Sequence, residues 1–246
     1  GDPDSTVEEV NTDASGMSET LTLDTPPLEL SMQPSEVQPY AEYTIQVTAK
    51  GYRPINISGI EVFSGQLSLQ EIRMDAEEAT ESMTDNIVIP AHTLFAEYPP
   101  KIAEAEIKPV TETGEIVLSR VVIPEYVIVH DGAPSDPTAR DYYVRYRDYI
   151  KNVASSEIYS TWPDATIRAN VLAIMSFTLN RVYTEWYRNK GYSFTITSST
   201  AYDQKFMYGR NIYQSISDVV DEMFQNYLSR PNVRQPILTQ YCDGER

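Results

Sequence analysis

Hydrophobic periodicity changes midway along this 246-residue chain, and that change constrains the fold more than any other feature. From residue 40, Tyr43, Ile45, Val47 and Ala49 alternate with Thr44, Gln46, Thr48 and Lys50, the period of two of a half-buried strand. Gly51-Tyr-Arg-Pro54 turns the chain, Ile55, Ile57 and Gly59 alternate again, and Ile60-Glu-Val-Phe63 leads to Gly65. Leu67, Leu69, Glu71 and Arg73 then share one side of a further short segment. Short strands with turns this frequent predict a small, incomplete β-sandwich-like domain over residues 1–75, whose polar, acidic beginning pairs poorly. Residues 76–86 form an acidic connector, and residues 87–113, with Pro90, Pro99, Pro100 and Pro109, an extended ordered strap. Strands are expected at Ile116–Leu118, Val121–Ile123 and Tyr126–Val129, followed by a Pro/Asp-rich loop over 133–141.

Beyond residue 145 the spacing is helical. Tyr146, Tyr149, Ile150 and Val153 predict a helix ending near Ser155. Ile167, Val171, Ile174, Thr178 and Arg181 predict a long one from Asp164 to about Asn189, closed by Asn189-Lys-Gly191. Its apolar positions spread wider than one stripe, which implies packing on more than one side. Phe194, Ile196 and Ser198 suggest a short strand, and Ser215 to Ser229 a third helix stopped by Pro231. The expected class is α+β: the small β-domain, then a mixed domain over 87–246 with a long central helix.

Charge narrows the partners. With 36 acidic against 19 basic residues, the formal charge is -17. Phosphate contacts need a basic surface, so nucleic acid is not expected, and neither is electrostatic binding to anionic lipid. No run of 18 apolar residues marks a transmembrane helix. A secreted protein whose signal segment has been removed would show the same beginning, so the lack of such a segment does not point to the cytoplasm. Cys242 is the only cysteine, and His92 and His130 share no local motif, so no metal site and no cofactor are expected. Cys242 also reads as half of a disulfide whose partner lies beyond Arg246.

Two clusters can carry chemistry. Glu157 sits at the junction of the first two helical patterns, close in sequence to Tyr159, Trp162, Tyr183, Trp186 and Tyr187. Desolvation among aromatic rings raises a carboxyl pKa and suits it to general acid work; a capping or salt-bridging Glu is the alternative. Ser155 and Ser156 stand ready to orient it. Asp203 and Gln204 follow the polar run Thr197-Ser-Ser-Thr200, either lining a groove for a hydroxyl-rich ligand or holding a loop by local turns. No Ser–His pair and no Gly-rich phosphate loop is present.

These residues carry a resemblance. Ser155-Ser-Glu157-Ile158, the Trp162-Pro163 step, and Ile167-Arg168-Ala169-Asn170-Val171-Leu172-Ala173 resemble the sporulation protein D / amidase-enhancer (SpoIID/LytB) family, as do Tyr149-Ile-Lys-Asn-Val153 and Asp203-Gln204-x-Phe206 with Gly209. The resemblance runs from about Val121 to Gly209. It implies a lytic transglycosylase acting on peptidoglycan glycan strands, in sporulation or wall remodelling, with Glu157 as catalytic acid, and with it an extracellular or envelope location, the signal segment taken as removed. Ser155, Ser156, Trp162, Asn170, Asp203 and Gln204 are the implied substrate contacts. Asn170 stands where the family has Gln, and Met175 where it has Arg. Some members bind zinc through His and Cys before the Asp-Gln step, but Thr197 to Tyr202 hold neither. Gly51-Tyr52 and Ile60-Glu-Val-Phe63 resemble the carboxypeptidase-regulatory, prealbumin-like β-domain. Two other functions stay open: a non-catalytic peptidoglycan- or spore-surface-binding module, and an assembly protein that engages an envelope partner through the β-domain.

Overall fold

The computed structural model describes residue 6 and residues 8–77, 84–102 and 118–239. Within these, three helices and three small sheets make the α+β class expected from the sequence. The first sheet has the order β1-β2-β4. Strands β1 (Ala41–Val47) and β2 (Ile55–Val62) are antiparallel, and β4 (Asp85–Val88) runs parallel to β2. The alternation read in β1 is real, with Tyr43, Ile45 and Val47 partly buried between exposed Thr44 and Gln46.

In β2 the alternation breaks where the pairing slips by one residue between Tyr43 and Ile45. Gly59, at φ 77°, lies in the extra stretch, and a side chain there would run into the Ile89 carbonyl. A bulge of this kind re-aims the residues after it. Ile60, Glu61 and Phe63 are all buried as a result.

The first region corrects two expectations. It is a single three-stranded sheet rather than a sandwich, and its third strand comes from residues assigned to the connector and second domain. Its apolar face, Ile55, Ile57, Ile60 and Ile89, is completed by Met207 from the far end of the chain. Strand β3 (Ser68–Leu69) also pairs with β8 (Ile212–Tyr213), and Tyr40 and Phe63 join the main core around the helices. The boundary expected near residue 75 is therefore crossed by strands and by core. Residues 78–83 of the connector lie outside the described residues.

The second sheet has the order β6-β5-β7. Strand β5 (Tyr126–His130) pairs antiparallel with β6 (Asp141–Arg145) and parallel with β7 (Ile196–Thr197). Residues 121–123, expected as a strand, take no regular structure, and Ile116 and Val117 lie outside the described residues.

Helix α1 (Tyr146–Glu157) buries Tyr149, Ile150, Val153 and Ala154. Helix α2 (Asp164–Tyr183) follows Pro163, whose carbonyl accepts the N–H groups of Thr166 (2.8 Å) and Ile167 (3.0 Å). Its last turns, Ile174 to Arg181, are buried all round, the multi-sided packing expected of a central helix.

Helix α2 ends six residues earlier than the spacing suggests. Glu185 adopts φ 47°, Glu185 N–H bonds Val182 O (3.2 Å), and Trp186 N–H bonds Arg181 O (3.3 Å). This is a Schellman closure with Glu where Gly is usual, which hides the stop in the sequence. Gly191, at φ 86°, closes only the short 3-10 turn Arg188–Lys190.

Helix α3 (Gln214–Met223) is likewise shorter than expected, because the chain turns at Met223 and runs back across α2. Leu228 N–H bonds Ser176 Oγ (2.7 Å), Asn180 Nδ2 bonds Pro236 O (2.7 Å), and Thr239 Oγ1 donates to Ala173 O.

Candidate functional site

Glu157 is the last residue of α1, and Ile158 leaves the helix in an extended conformation. The Glu157 side chain is half-buried, and its Oε1 accepts the backbone N–H of Lys205 at 2.7 Å. The fold thus joins two stretches far apart in sequence, the Ser-Ser-Glu-Ile step and the Asp-Gln loop.

That loop is fastened from below. Asp203 Oδ1 accepts Arg181 Nε at 2.7 Å, and its Oδ2 accepts Tyr187 OH (2.5 Å), Thr197 N (2.9 Å) and Thr197 Oγ1 (2.7 Å). Gln204 Nε2 donates to Ile174 O (3.0 Å), while its Oε1 accepts Tyr149 OH (3.2 Å) and Thr178 Oγ1 (2.8 Å). Asn152, five residues before Glu157 on α1, bonds both the N–H and the carbonyl of Met207 at 2.9 Å. The segment around Lys205 is therefore held to α1 and α2 on both sides, and Glu157 meets it at a fixed place.

A second network holds the end of α1 from the side of the first sheet. Ser156 Oγ donates to Asn152 O (2.8 Å) and accepts Arg210 Nη1 (3.1 Å). Arg210 Nη2 reaches Glu61 Oε2 (3.0 Å), and Tyr213 OH donates to Glu61 O (3.1 Å). Thr93 Oγ1 donates to Ser156 O (2.8 Å). His92 is fully buried: Nδ1 accepts the Leu94 N–H (3.2 Å), which leaves Nε2–H facing Ile158 O (3.3 Å). Burial holds this ring well below its ordinary pKa, and the nearby Arg210 charge adds to the effect.

The residues singled out from sequence fall into two groups. Glu157 lies at the junction with the loop. Ser155, Ser156, Asp203 and Gln204 are buried, and the last three hydrogen-bond protein groups. In this conformation their work is to brace the loop and helix, not to touch a ligand, because a surface contact requires an exposed polar atom. Asn170 Nδ2 bonds Thr166 O on its own helix (2.9 Å). Trp162 Nε1 donates to Ser31 O (3.0 Å) and its ring meets Tyr159 edge-on, so it anchors the N-terminal 3-10 turn Leu28–Ser31. The substrate contacts expected of these two are not assembled around Glu157 by any of these bonds.

The aromatic run near residue 186 divides as well. Tyr187 serves Asp203, while Trp186 borders a hollow of about 190 Å³ with Pro124, Tyr126, Glu185 and Phe194. Met175 is fully buried, and the guanidinium that meets Asp203 comes from Arg181.

Lys205 was missed from sequence. Burial lowers its pKa, while Asp131 and Glu157 act in the opposite direction. Its Nζ lies 5.5 Å over the Tyr98 ring. Asp131 in turn accepts Ser198 Oγ at 2.7 Å. The only advance signal for Lys205 was its place directly after Asp203-Gln204. Arg181 had a better one, a charge on an otherwise apolar helix face, which calls for a buried partner.

His130 bonds Asp141 Oδ1 through Nδ1 (2.7 Å) and Asp136 O through Nε2 (3.0 Å), and stacks on Phe194 at 4.4 Å. It pins the 131–141 loop. Among the described residues no group of three or more His, Cys, Asp or Glu side chains could hold a metal ion; Cys242 lies outside them. No described helix is long and apolar enough to cross a membrane. No family model, curated protein or solved structure matches the chain.

Proposed function

We propose that this protein cleaves peptidoglycan glycan strands as a lytic transglycosylase, with Glu157 as its acid and then its base, and that it works at the cell envelope, where this substrate lies. The observation that carries the reading is the bond from Lys205 N–H to Glu157 Oε1, which fixes one half-buried carboxyl group against the Asp-Gln loop. A single carboxyl group suffices for this reaction. Protonated Glu157 gives its proton to the glycosidic oxygen as the bond from muramoyl C1 to that oxygen breaks. The muramoyl C6 hydroxyl oxygen then bonds to C1, and the Glu157 carboxylate takes the hydroxyl proton. The products are a 1,6-anhydro ring and a free sugar hydroxyl; no water is consumed, and the carboxyl group ends as it began.

The bracing described above supports this reading in a second way. General acid transfer needs the donor atom held within about 3 Å of its acceptor, and small displacements are costly. Asp203, Gln204, Asn152 and Ser156 keep the carboxyl group and the loop in register without touching substrate themselves.

Clearing of purified cell-wall sacculi by the wild-type chain and by Glu157→Gln tests the reading. Loss of a general acid costs about 10²–10⁴ in rate, so the variant should leave the suspension turbid. Equal clearing by both would remove Glu157 from the chemistry. Sedimentation with sacculi but no clearing by either would leave a binding module.

A further inference from the structure

The hollow of about 190 Å³ beside the end of α2 is walled by four rings, those of Tyr126, Trp186, Tyr187 and Phe194. Three of them are fixed by measured contacts. Phe194 lies 4.8 Å from Tyr187 and stacks on His130 at 4.4 Å, while Tyr187 OH donates to Asp203. Trp186 has Lys190 Nζ 2.9 Å and Arg181 Cζ 4.7 Å from its ring centroid. Rings ordered beforehand lose little conformational entropy when a ligand arrives. An apolar cavity of about 150 Å³ takes up benzene, so this hollow has the size for a phenyl ring and a few atoms more.

Two opposite charges stand with the rings. Glu185 and Arg188 both line the hollow, with Arg188 Nε 3.5 Å from Glu185 Oε2. The Glu185 side chain is 21% exposed and that of Arg188 58%, so the guanidinium marks the mouth. Their separation exceeds the roughly 2.7–2.9 Å of a charge-assisted hydrogen bond, and a loose pair of this kind yields readily to a ligand with both charges. Arg181 also lines the hollow, but Asp203 answers its charge at 2.7 Å. Glu185 itself holds φ 47°, a backbone region that favours Gly or Asn. Glycine would close α2 without that strain; glutamate there places a carboxylate at the hollow.

We propose that this hollow binds an aromatic α-amino acid as its zwitterion, with the ring among Tyr126, Trp186 and Phe194, the ammonium on Glu185 and the carboxylate on Arg188. A cationic ligand would be repelled by Arg188, and an anionic one by Glu185. A ligand with both charges on one carbon satisfies the pair together. The occupant lies against Arg181 and Tyr187, the two side chains that hold Asp203, so the site adjoins the brace of the Asp-Gln loop. Binding here does not depend on the reaction assigned to Glu157.

The probe is L-phenylalanine, titrated into the nitrogen-15-labelled chain by NMR. Trp162 and Trp186 are the only tryptophans, so the spectrum has two indole N–H signals, and Trp186→Phe assigns them. L-Phenylalanine should shift the Trp186 signal saturably, with a Kd of about 1 mM or below, and leave that of Trp162 in place. Phenethylamine and 3-phenylpropanoate, which each lack one charge, should bind about tenfold more weakly. Glu185→Gly should also weaken L-phenylalanine binding about tenfold, yet melt no lower than wild type, because the backbone there suits glycine and the exposed pair to Arg188 contributes little. Loss of the site is thereby separated from loss of the fold. The proposal is overturned if the wild type shows no saturable shift of Trp186, or if Glu185→Gly binds as tightly as wild type. Phenethylamine or 3-phenylpropanoate binding as tightly as the amino acid would overturn it equally, since the hollow would then read one charge alone.

Discussion

Arg210 Nη2 donates to Glu61 Oε2 at 3.0 Å, with both side chains wholly out of solvent. The pair ties β2 of the first sheet to the segment that follows Gly209, and through Ser156 it reaches the end of α1. Burial raises the Glu61 pKa, against the pull of Arg210. Removing one partner leaves a buried charge uncompensated, so Arg210→Met should cost about 3–5 kcal/mol in urea unfolding. Replacing both, as Glu61→Leu with Arg210→Met, should recover part of that loss. A double variant less stable than the single one would deny the pair its role.

Asp203→Asn tests the brace beneath the loop. It leaves Arg181, fully buried, without its carboxylate, and should also cost about 3–5 kcal/mol. Because Asp203 precedes the Lys205 N–H that holds Glu157 by two residues, glycan cleavage should fall at temperatures where the variant is still folded. Full activity in a folded variant would show that the loop position is set elsewhere.

Gly209 combines two demands. Its φ is 76°, and a Cβ there would stand 2.8 Å from Ile87 Cγ2. Gly65, at φ 66°, has nothing within 4 Å of that position. Gly209→Ala should therefore destabilise by about 1–3 kcal/mol more than Gly65→Ala, which meets backbone strain alone. Equal losses in thermal melts would argue against close packing of this loop on β4.

His92 sets an acid limit. Its pKa in the fold lies well below 6.5, because the charged ring would be buried. Below about pH 6.5 the unfolded chain takes up a proton that the folded chain refuses, so stability falls as pH drops. One linked proton gives a slope of about 1.4 kcal/mol per pH unit until the folded ring itself titrates. Urea unfolding of wild type and His92→Gln between pH 7 and 5 should show that component in the wild type only.

The sequence carried the strands and helices whose burial is one-sided or continuous. Tyr43, Ile45 and Val47 alternate because β1 has one covered face, and Ile167, Val171 and Ile174 recur because α2 lies in the core. Elements made by distant pairing were invisible. Strand β4 exists because β2 accepts it, and β8 because Ser68 and Leu69 do. Strand β6 went unread between the 133–141 loop and the helix from Tyr146, since only Tyr142 and Val144 mark its inner face while Tyr143 is exposed. For the site, Glu157, Asp203 and Gln204 were picked out, but a polar run such as Thr197-Ser-Ser-Thr200 reads the same whether it lines a groove or ties a buried loop. Burial of Asp203 and Gln204 depends on Arg181, Tyr149 and Thr178, which the local pattern does not connect to them.

Mass spectrometry of the soluble products from purified peptidoglycan tests the central claim most directly. The wild-type chain is expected to release fragments ending in 1,6-anhydromuramic acid, and Glu157→Gln to release none. Fragments with ordinary reducing ends would mean that water, not the C6 hydroxyl, attacks C1. Anhydro ends formed equally by Glu157→Gln would contradict the assignment of the acid to Glu157.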